Sequence, residues 1–183
     1  MRRISTAILA VVVAQAAASC GETTCDPCPV NEESGKSLCL KWEGAYHGEM
    51  VGRGGSCADS AGDQELLDGS IRLDVYGIGP GPEGESTLVS VDMTDAEGNW
   101  TTFDGYICDT QDEEPPYSYA FDVLYEESDE QQMFSVSNVL SGLLIEDEAG
   151  NPYQLDATYS VSFTDSENPE NSCSMRADVT TER

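Results

Sequence analysis

Cysteine is the residue of this chain with the widest chemical repertoire, because a thiol can form a disulfide, bind a metal or act in redox chemistry. Two of the seven cysteines, Cys25 and Cys28, form a C-x-x-C pair. A redox pair of this kind opens a helix, but no helical pattern follows it here. A zinc site needs a second close pair, which the other cysteines do not supply. The spacing therefore favours structural disulfides, and the candidate partners are Cys25, Cys28, Cys39, Cys57, Cys108 and Cys173.

Cys108 and Cys173 form the one pair that we predict among these candidates. Both lie in strand-like segments, far along the chain from the other four, which can pair among themselves. A bridge between them would tie the last strand to the middle of the sheet. Closing a loop of this length would stabilise the fold by about 4 kcal/mol in the chain-entropy model.

Acidic side chains dominate the composition, with 35 Asp and Glu against 8 Lys and Arg and a formal net charge of -27. Such a surface repels phosphate backbones and therefore predicts no nucleic-acid partner. Calcium, in contrast, binds several loop oxygens at once. Two clusters are candidate calcium sites, although neither has the EF-hand spacing and both are also typical of solvated turns: Asp59, Asp63 and Glu65 in one loop, and Asp92, Asp95, Glu97 and Asn99 in another. No other cofactor is predicted.

The motifs offer little support for catalysis. His47 is the only histidine, and no G-x-S-x-G elbow is present to hold a nucleophilic serine. Residues 79–84 match G-x-G-x-x-G, but a strand pattern resumes at Ser86, whereas a phosphate-binding loop opens a helix. We therefore predict a protein that is not an enzyme. The alternative is a secreted hydrolase that uses a pair of acidic residues without histidine.

The first residues have the three-part build of a secretory signal peptide. A basic start at Arg2 and Arg3 precedes an apolar run over 7–14 and small residues over 16–19. The segment ends in Ala17-Ala18-Ser19-Cys20, which resembles the lipobox of bacterial lipoproteins, where a signal peptidase cuts just before a lipid-modified cysteine. The resemblance implies that Cys20 begins the mature protein and that its lipid anchors the protein to a membrane.

The same resemblance implies an address within the cell envelope. Gly21 stands where the signal for inner-membrane retention has aspartate, so the outer membrane is expected, on either its periplasmic or its surface face. The alternative is an ordinary secretory signal cut after Ala18, which would leave a soluble secreted protein with Cys20 free for a disulfide. The odd cysteine count favours the lipid, because assigning Cys20 to it leaves an even set.

Hydrophobic periodicity divides the mature chain into two parts. Residues 20–36 are polar and contain prolines, which is typical of a flexible tether, here a lipidated one. Residues 37–183 alternate apolar and polar side chains in many short runs, which predicts strands. The first strand is predicted over 38–46, a loop over 48–69, and separate strands around Phe134 and over 143–146.

Two turns of similar sequence predict hairpins, because each places Gly-Asn just before the next strand. One joins residues 86–94 to 99–108, and the other joins 142–147 to 153–164. About eight or nine strands with mostly short connections predict an all-β, disulfide-stabilised domain, either an antiparallel sandwich or an up-and-down barrel.

The function predicted from these features is a non-enzymatic cell-envelope lipoprotein with a binding or structural role. The stretch Trp42-Glu43-Gly44-Ala45-Tyr46 resembles the opening strand of lipocalin-like barrels, although lipocalins have the glycine before the tryptophan. This resemblance implies an alternative function, the carriage of a small apolar ligand inside a barrel. The protein or small-molecule partner is not identified by the sequence.

Overall fold

A closed antiparallel barrel forms the body of the protein in the computed structural model, which describes residues 26–57, 67–81, 86–109, 118–128 and 134–183. Each strand pairs with the next, and the last pairs with the first. Of the two predicted architectures, the barrel is therefore the one present, with eight strands. Their bounds are β1 Gly44–Gly55, β2 Gly69–Pro80, β3 Thr87–Thr94, β4 Trp100–Asp109, β5 Ser118–Ser128, β6 Phe134–Glu146, β7 Pro152–Asp165 and β8 Cys173–Glu182.

The alternation in the sequence becomes an inside and an outside in the barrel, because successive side chains of a strand point to opposite faces. Every strand contributes at least one inward side chain that is at most 1% exposed: Tyr46, Leu73, Val91, Phe103, Val123, Leu140, Leu155 and Val179. An eight-stranded barrel is just wide enough for such side chains to fill it. The middle of the barrel is therefore a packed core.

Inward-facing glycines let neighbouring strands approach each other closely. A Cβ atom on Gly48 would lie 1.9 Å from the Thr180 carbonyl oxygen, and one on Gly142 would lie 2.0 Å from that of Asp156. Real side chains do not tolerate such contacts. Glycine at these positions allows the strands to bend sharply enough for the sheet to close.

The structure corrects three boundaries within the strand prediction. The first predicted strand begins instead as a 3₁₀ helix, Leu38–Trp42, which Ser37 caps by accepting a hydrogen bond from the Cys39 amide. The loop predicted from Gly48 is strand as far as Gly55, and the two short strands predicted after Phe134 are one continuous β6. Glycine lowers strand propensity, but pairing with β8 keeps the end of β1 in the sheet, and pairing with both β5 and β7 does the same for β6.

Both predicted hairpins are confirmed, and each is closed by an aspartate at the start of its turn. Asp95 accepts hydrogen bonds from the backbone and side-chain nitrogens of Asn99, and Asp147 does the same for Asn151. These bonds favour the ionised carboxylates and lower the pKa of both Asp95 and Asp147. The two turns are therefore close structural equivalents.

The disulfides do not follow the predicted pairing. Cys173 bonds to Cys57 and not to Cys108, and Cys28 bonds to Cys39. Cys57 follows β1, which is hydrogen-bonded to β8, so the bridge joins neighbouring strands where the barrel closes. The prediction of Cys108–Cys173 was wrong because sequence distance hides this closure between the first and last strands. Cys108 is also disulfide-bonded, while Cys25 lies outside the described residues.

The described part of the predicted tether is attached to the barrel. Asp26 forms an antiparallel bridge with Asp109, and the backbone amide of buried Cys28 donates to the Thr87 hydroxyl at 2.9 Å. The packed region therefore begins before residue 37. The predicted signal peptide, residues 1–19, and the lipid-attachment candidate Cys20 lie outside the described residues. None of the helices in the described ranges is long and apolar enough to cross a membrane.

Candidate functional site: the two ends of the barrel

One end of the barrel is filled by the chain that leads into β1. We call it the plugged end, and it comprises residues 26–43 together with Arg183. Trp42 is fully buried there and meets the Tyr119 ring edge-on, with 5.7 Å between ring centroids. The Lys41 ammonium lies 5.9 Å from the centroid of the Trp42 ring and forms an ion pair with buried Glu146. Aromatic packing and a shielded charge pair therefore seal this end.

Arg183, which is distant in sequence, also holds the plugged end in place. Its guanidinium donates to the carbonyl oxygens of Lys41 and Glu43, at 2.6 and 2.7 Å, and lies over the Tyr46 ring. The Tyr46 hydroxyl in turn donates to the Trp42 carbonyl at 3.0 Å. Burial raises the pKa of Tyr46 to about 12, an effect that Arg183 opposes. Tyr46 therefore stays a neutral hydrogen-bond donor.

The opposite end holds a pocket of about 440 Å³, which we call the mouth. Such a volume lies within the range of small-molecule sites. The mouth is lined from β1, β2, the β3–β4 hairpin and β4, and it reaches across the barrel to β7. The lining residues are Met50, Leu67, Asp68, Gly69, Ser70, Ile71, Met93, Asp95, Ala96, Glu97, Asn99, Thr101 and Tyr159.

The floor of the mouth is apolar. Met50, Ile71, Met93 and Tyr159 are each less than a tenth exposed. The Tyr159 ring meets Phe103 edge-on at 6.2 Å, and its hydroxyl donates to Asn138 Oδ1 at 2.7 Å. Burial raises the pKa of Tyr159 to about 12, so this hydroxyl is also neutral at physiological pH.

The rim of the mouth carries three carboxylates, Asp68, Asp95 and Glu97. Asp68 accepts a hydrogen bond from the Gly52 amide at 2.6 Å, and Asp95 holds the hairpin turn. Glu97 is exposed at the tip of that hairpin. The described lining contains no Lys, Arg or His, so the rim is uniformly negative.

The second calcium candidate is divided between two places. Asp92 lies on β3 among outward-facing residues and accepts hydrogen bonds from the Tyr76 and Thr102 hydroxyls, whereas Asp95, Glu97 and Asn99 belong to the rim. No group of three or more metal-ligating side chains is present among residues that the structure describes. The first candidate, Asp59, Asp63 and Glu65, lies outside those residues. Calcium binding stays a prediction.

The floor of the mouth and the Arg183 contacts were not predicted from the sequence. Met50 continues the alternation of Tyr46 and Gly48, so extending the first strand past Gly48 would have placed it inside the barrel. Nothing local marks Arg183, which contacts a segment about 140 positions away in the chain. The sole histidine, His47, is exposed on the outer face of β1.

Comparison of the chain with protein-family models, with curated proteins and with solved structures finds no match.

Proposed function

We propose that this protein is a non-enzymatic cell-envelope lipoprotein, held at the outer membrane by a lipid on Cys20, with the barrel as its binding or structural module. The observation that carries the proposal is the number of cysteines that are already disulfide-bonded. Cys28–Cys39 and Cys57–Cys173 are paired, and Cys108 is disulfide-bonded as well. One of the two remaining cysteines, Cys20 or Cys25, is therefore left for another role.

Chain continuity favours Cys25 as the partner of Cys108. The Asp109 amide donates to the Asp26 carbonyl at 3.1 Å, so the residue after Cys25 lies beside the residue after Cys108. This assignment leaves Cys20 unpaired and available for lipidation, in agreement with the lipobox resemblance. The two acyl chains of a diacylglycerol give stable membrane attachment, whereas one chain gives only marginal binding.

The point where the chain enters the barrel supports an orientation as well. Asp26 joins the barrel at the plugged end, and Cys20 precedes it by six positions. Even a fully extended segment of this length spans only about 20 Å. An anchor at Cys20 therefore keeps the plugged end near the membrane and directs the mouth away from it.

Membrane partition of the Cys20→Ser variant tests the anchor. We expect wild-type protein in the detergent phase and in outer-membrane fractions, and Cys20→Ser protein in the aqueous phase. The matched control is Gly21→Asp, which retains the lipid and should move the protein to the inner membrane. A non-reducing peptide map should join Cys108 to Cys25. A soluble wild-type protein with a free thiol at Cys20, or a Cys20–Cys108 bridge, would overturn the lipoprotein proposal.

Energy transfer from tryptophan to dansyl-labelled lipid headgroups tests the orientation. Trp42 lies at the plugged end and Trp100 at the start of β4, beside the mouth. In the Trp100→Phe variant, all energy transfer to the headgroups comes from Trp42. Subtracting this signal from that of the wild type gives the transfer from Trp100. Stronger transfer from Trp42 is expected, and stronger transfer from Trp100 would reverse the proposed orientation.

A carrier of a small apolar ligand is the second candidate, favoured by the closed barrel and the apolar floor of the mouth. Because the middle of the barrel is packed, any such ligand would be confined to the mouth. Acid-pair hydrolysis needs a carboxylic acid with a raised pKa. The hydrogen bonds from Asn99 lower the pKa of Asp95, so this carboxylate does not fit the role of that acid.

A further inference from the structure

The mouth combines two surfaces that attract different parts of a ligand. Its floor is formed by Met50, Ile71, Met93 and Tyr159, which present two thioethers, a branched aliphatic group and an aromatic ring. Methionine side chains are flexible and polarisable, so they adapt to apolar groups of different shapes. The floor therefore suits the apolar body of a ligand without specifying its outline closely.

The rim adds a requirement for charge. Asp68, Asp95 and Glu97 line the pocket, and its described lining holds no basic side chain to balance them. The hairpin bonds hold Asp95 ionised by lowering its pKa. A ligand carboxylate or phosphate would be repelled at this rim, whereas an ammonium group would find complementary charge.

We infer that the mouth binds a soluble organic cation with an apolar body, such as an amine that carries an alkyl or aromatic group. The apolar part lies on the floor and the ammonium group lies at the acidic rim. This inference deepens the binding role in the proposed function and rests on it for the orientation. With the plugged end toward the membrane, the mouth takes its ligand from the aqueous side.

A matched pair of fluorescent probes tests the charge preference. Dansylcadaverine joins the apolar dansyl group to a primary ammonium, and dansylglycine joins the same group to a carboxylate. Both probes are titrated into the mature protein in phosphatidylcholine nanodiscs, and the fluorescence measured with empty nanodiscs is subtracted. If the protein proves soluble, the titration is done in buffer. We expect saturable binding of dansylcadaverine and no measurable binding of dansylglycine.

The two hairpins supply a matched pair of variants. Glu97→Lys reverses one charge at the rim, and Glu148→Lys makes the same change in the equivalent turn that joins β6 to β7, on the plugged end. Glu97 and Glu148 are both exposed, so neither change is expected to unfold the protein. Glu97→Lys should weaken dansylcadaverine binding about tenfold, and Glu148→Lys should leave it unchanged within about twofold.

Trp100 locates the bound probe, because it follows the rim residue Asn99 and can transfer energy to the dansyl group. Bound dansylcadaverine should show emission excited through tryptophan, and Trp100→Phe should reduce that emission without changing the affinity. Emission that is undiminished in Trp100→Phe would place the probe away from Trp100 and overturn the inference.

Three other outcomes would overturn it as well: no saturable binding of dansylcadaverine, equal binding of the two probes, or equal weakening by Glu97→Lys and Glu148→Lys. The last would mean that the cation follows the overall negative charge and not the mouth. Probe binding by a soluble protein would sustain this inference and defeat the anchor, whereas a membrane-bound protein without probe binding would do the reverse.

Discussion

The two ends of this barrel are built from similar strands but finished in opposite ways. The plugged end packs the buried Tyr119 ring against Trp42 and pairs the buried Glu146 carboxylate with Lys41. The mouth leaves carboxylates facing water above an apolar floor. A region that is densely packed and charge-paired contributes stability, whereas a region with unpaired charge and a cavity is suited to binding.

The two hairpins differ in the same way on a smaller scale, because they have similar turns at opposite ends of the barrel. Their turns share an aspartate that is hydrogen-bonded to the asparagine four positions later. Of these two turns, only the one between β3 and β4 lines the mouth pocket, because the two connections lie at opposite ends of the barrel. Local sequence builds the turn, and its place in the barrel decides what the turn can contact.

The largest single loss of stability that we predict comes from removing a disulfide. Cys57–Cys173 joins residues separated by 116 positions beside the mouth, and Cys28–Cys39 joins residues separated by 11 at the plugged end. The chain-entropy model predicts losses of about 5 and 3 kcal/mol for the respective double alanine variants. Urea unfolding of both variants measures which of them loses more free energy of unfolding. A greater loss for Cys28–Cys39 would mean that packing of these buried cysteines outweighs loop length.

The two tryptophans should differ more widely from each other, although the loss for Trp42 is not expected to exceed that for Cys57–Cys173. Trp42 is fully buried in the plug, so Trp42→Ala should destabilise the protein by about 3–5 kcal/mol. Trp100 is 69% exposed beside the mouth, and Trp100→Ala should cost less than about 0.5 kcal/mol. Guanidinium unfolding compares the two variants, and similar losses would contradict the assignment of stability to the plugged end.

Two ion pairs provide a test of intermediate size. Lys41→Met leaves the Glu146 carboxylate buried without its ammonium partner and should cost about 2 kcal/mol. Arg53→Met is the control, because the Arg53–Asp178 pair is largely exposed and its loss should cost less than about 1 kcal/mol. If both substitutions have the same effect in thermal unfolding, burial of Glu146 does not strengthen its pairing.

The smallest predicted effect is a pH dependence that the two hairpins should share. The folded-state pKa of Asp95 and of Asp147 lies below the ordinary value of 3.8, so each carboxylate stabilises the fold above that value. This stabilisation is lost as the pH falls through the folded-state pKa. Asp95→Ala and Asp147→Ala should therefore be slightly less stable than wild type at pH 7, and the difference should shrink below a pH of about 3.8.

Urea unfolding across this pH range gives the measurement. A ligand bound at the mouth should alter the result for Asp95→Ala and leave that for Asp147→Ala unchanged. A difference between the two variants without ligand would contradict their structural equivalence.

The sequence by itself determined the fold class and both hairpins. Alternation of apolar and polar residues reports which face of a strand is buried, and Gly-Asn turns report where neighbouring strands reverse direction. These signals are local, so they persist without a three-dimensional structure. They were ambiguous at the first strand, where the glycines after Tyr46 resemble a loop although they belong to β1.

Only the tertiary structure decided between sandwich and barrel, because closure depends on pairing between β1 and β8 at opposite ends of the chain. The same closure brought Cys57 to Cys173 and Arg183 to the plug. It also gathered Met50, Met93 and Tyr159 into one floor. Contacts between residues so far apart in sequence arise from the cooperative closure of the whole barrel, and no short stretch of residues encodes them.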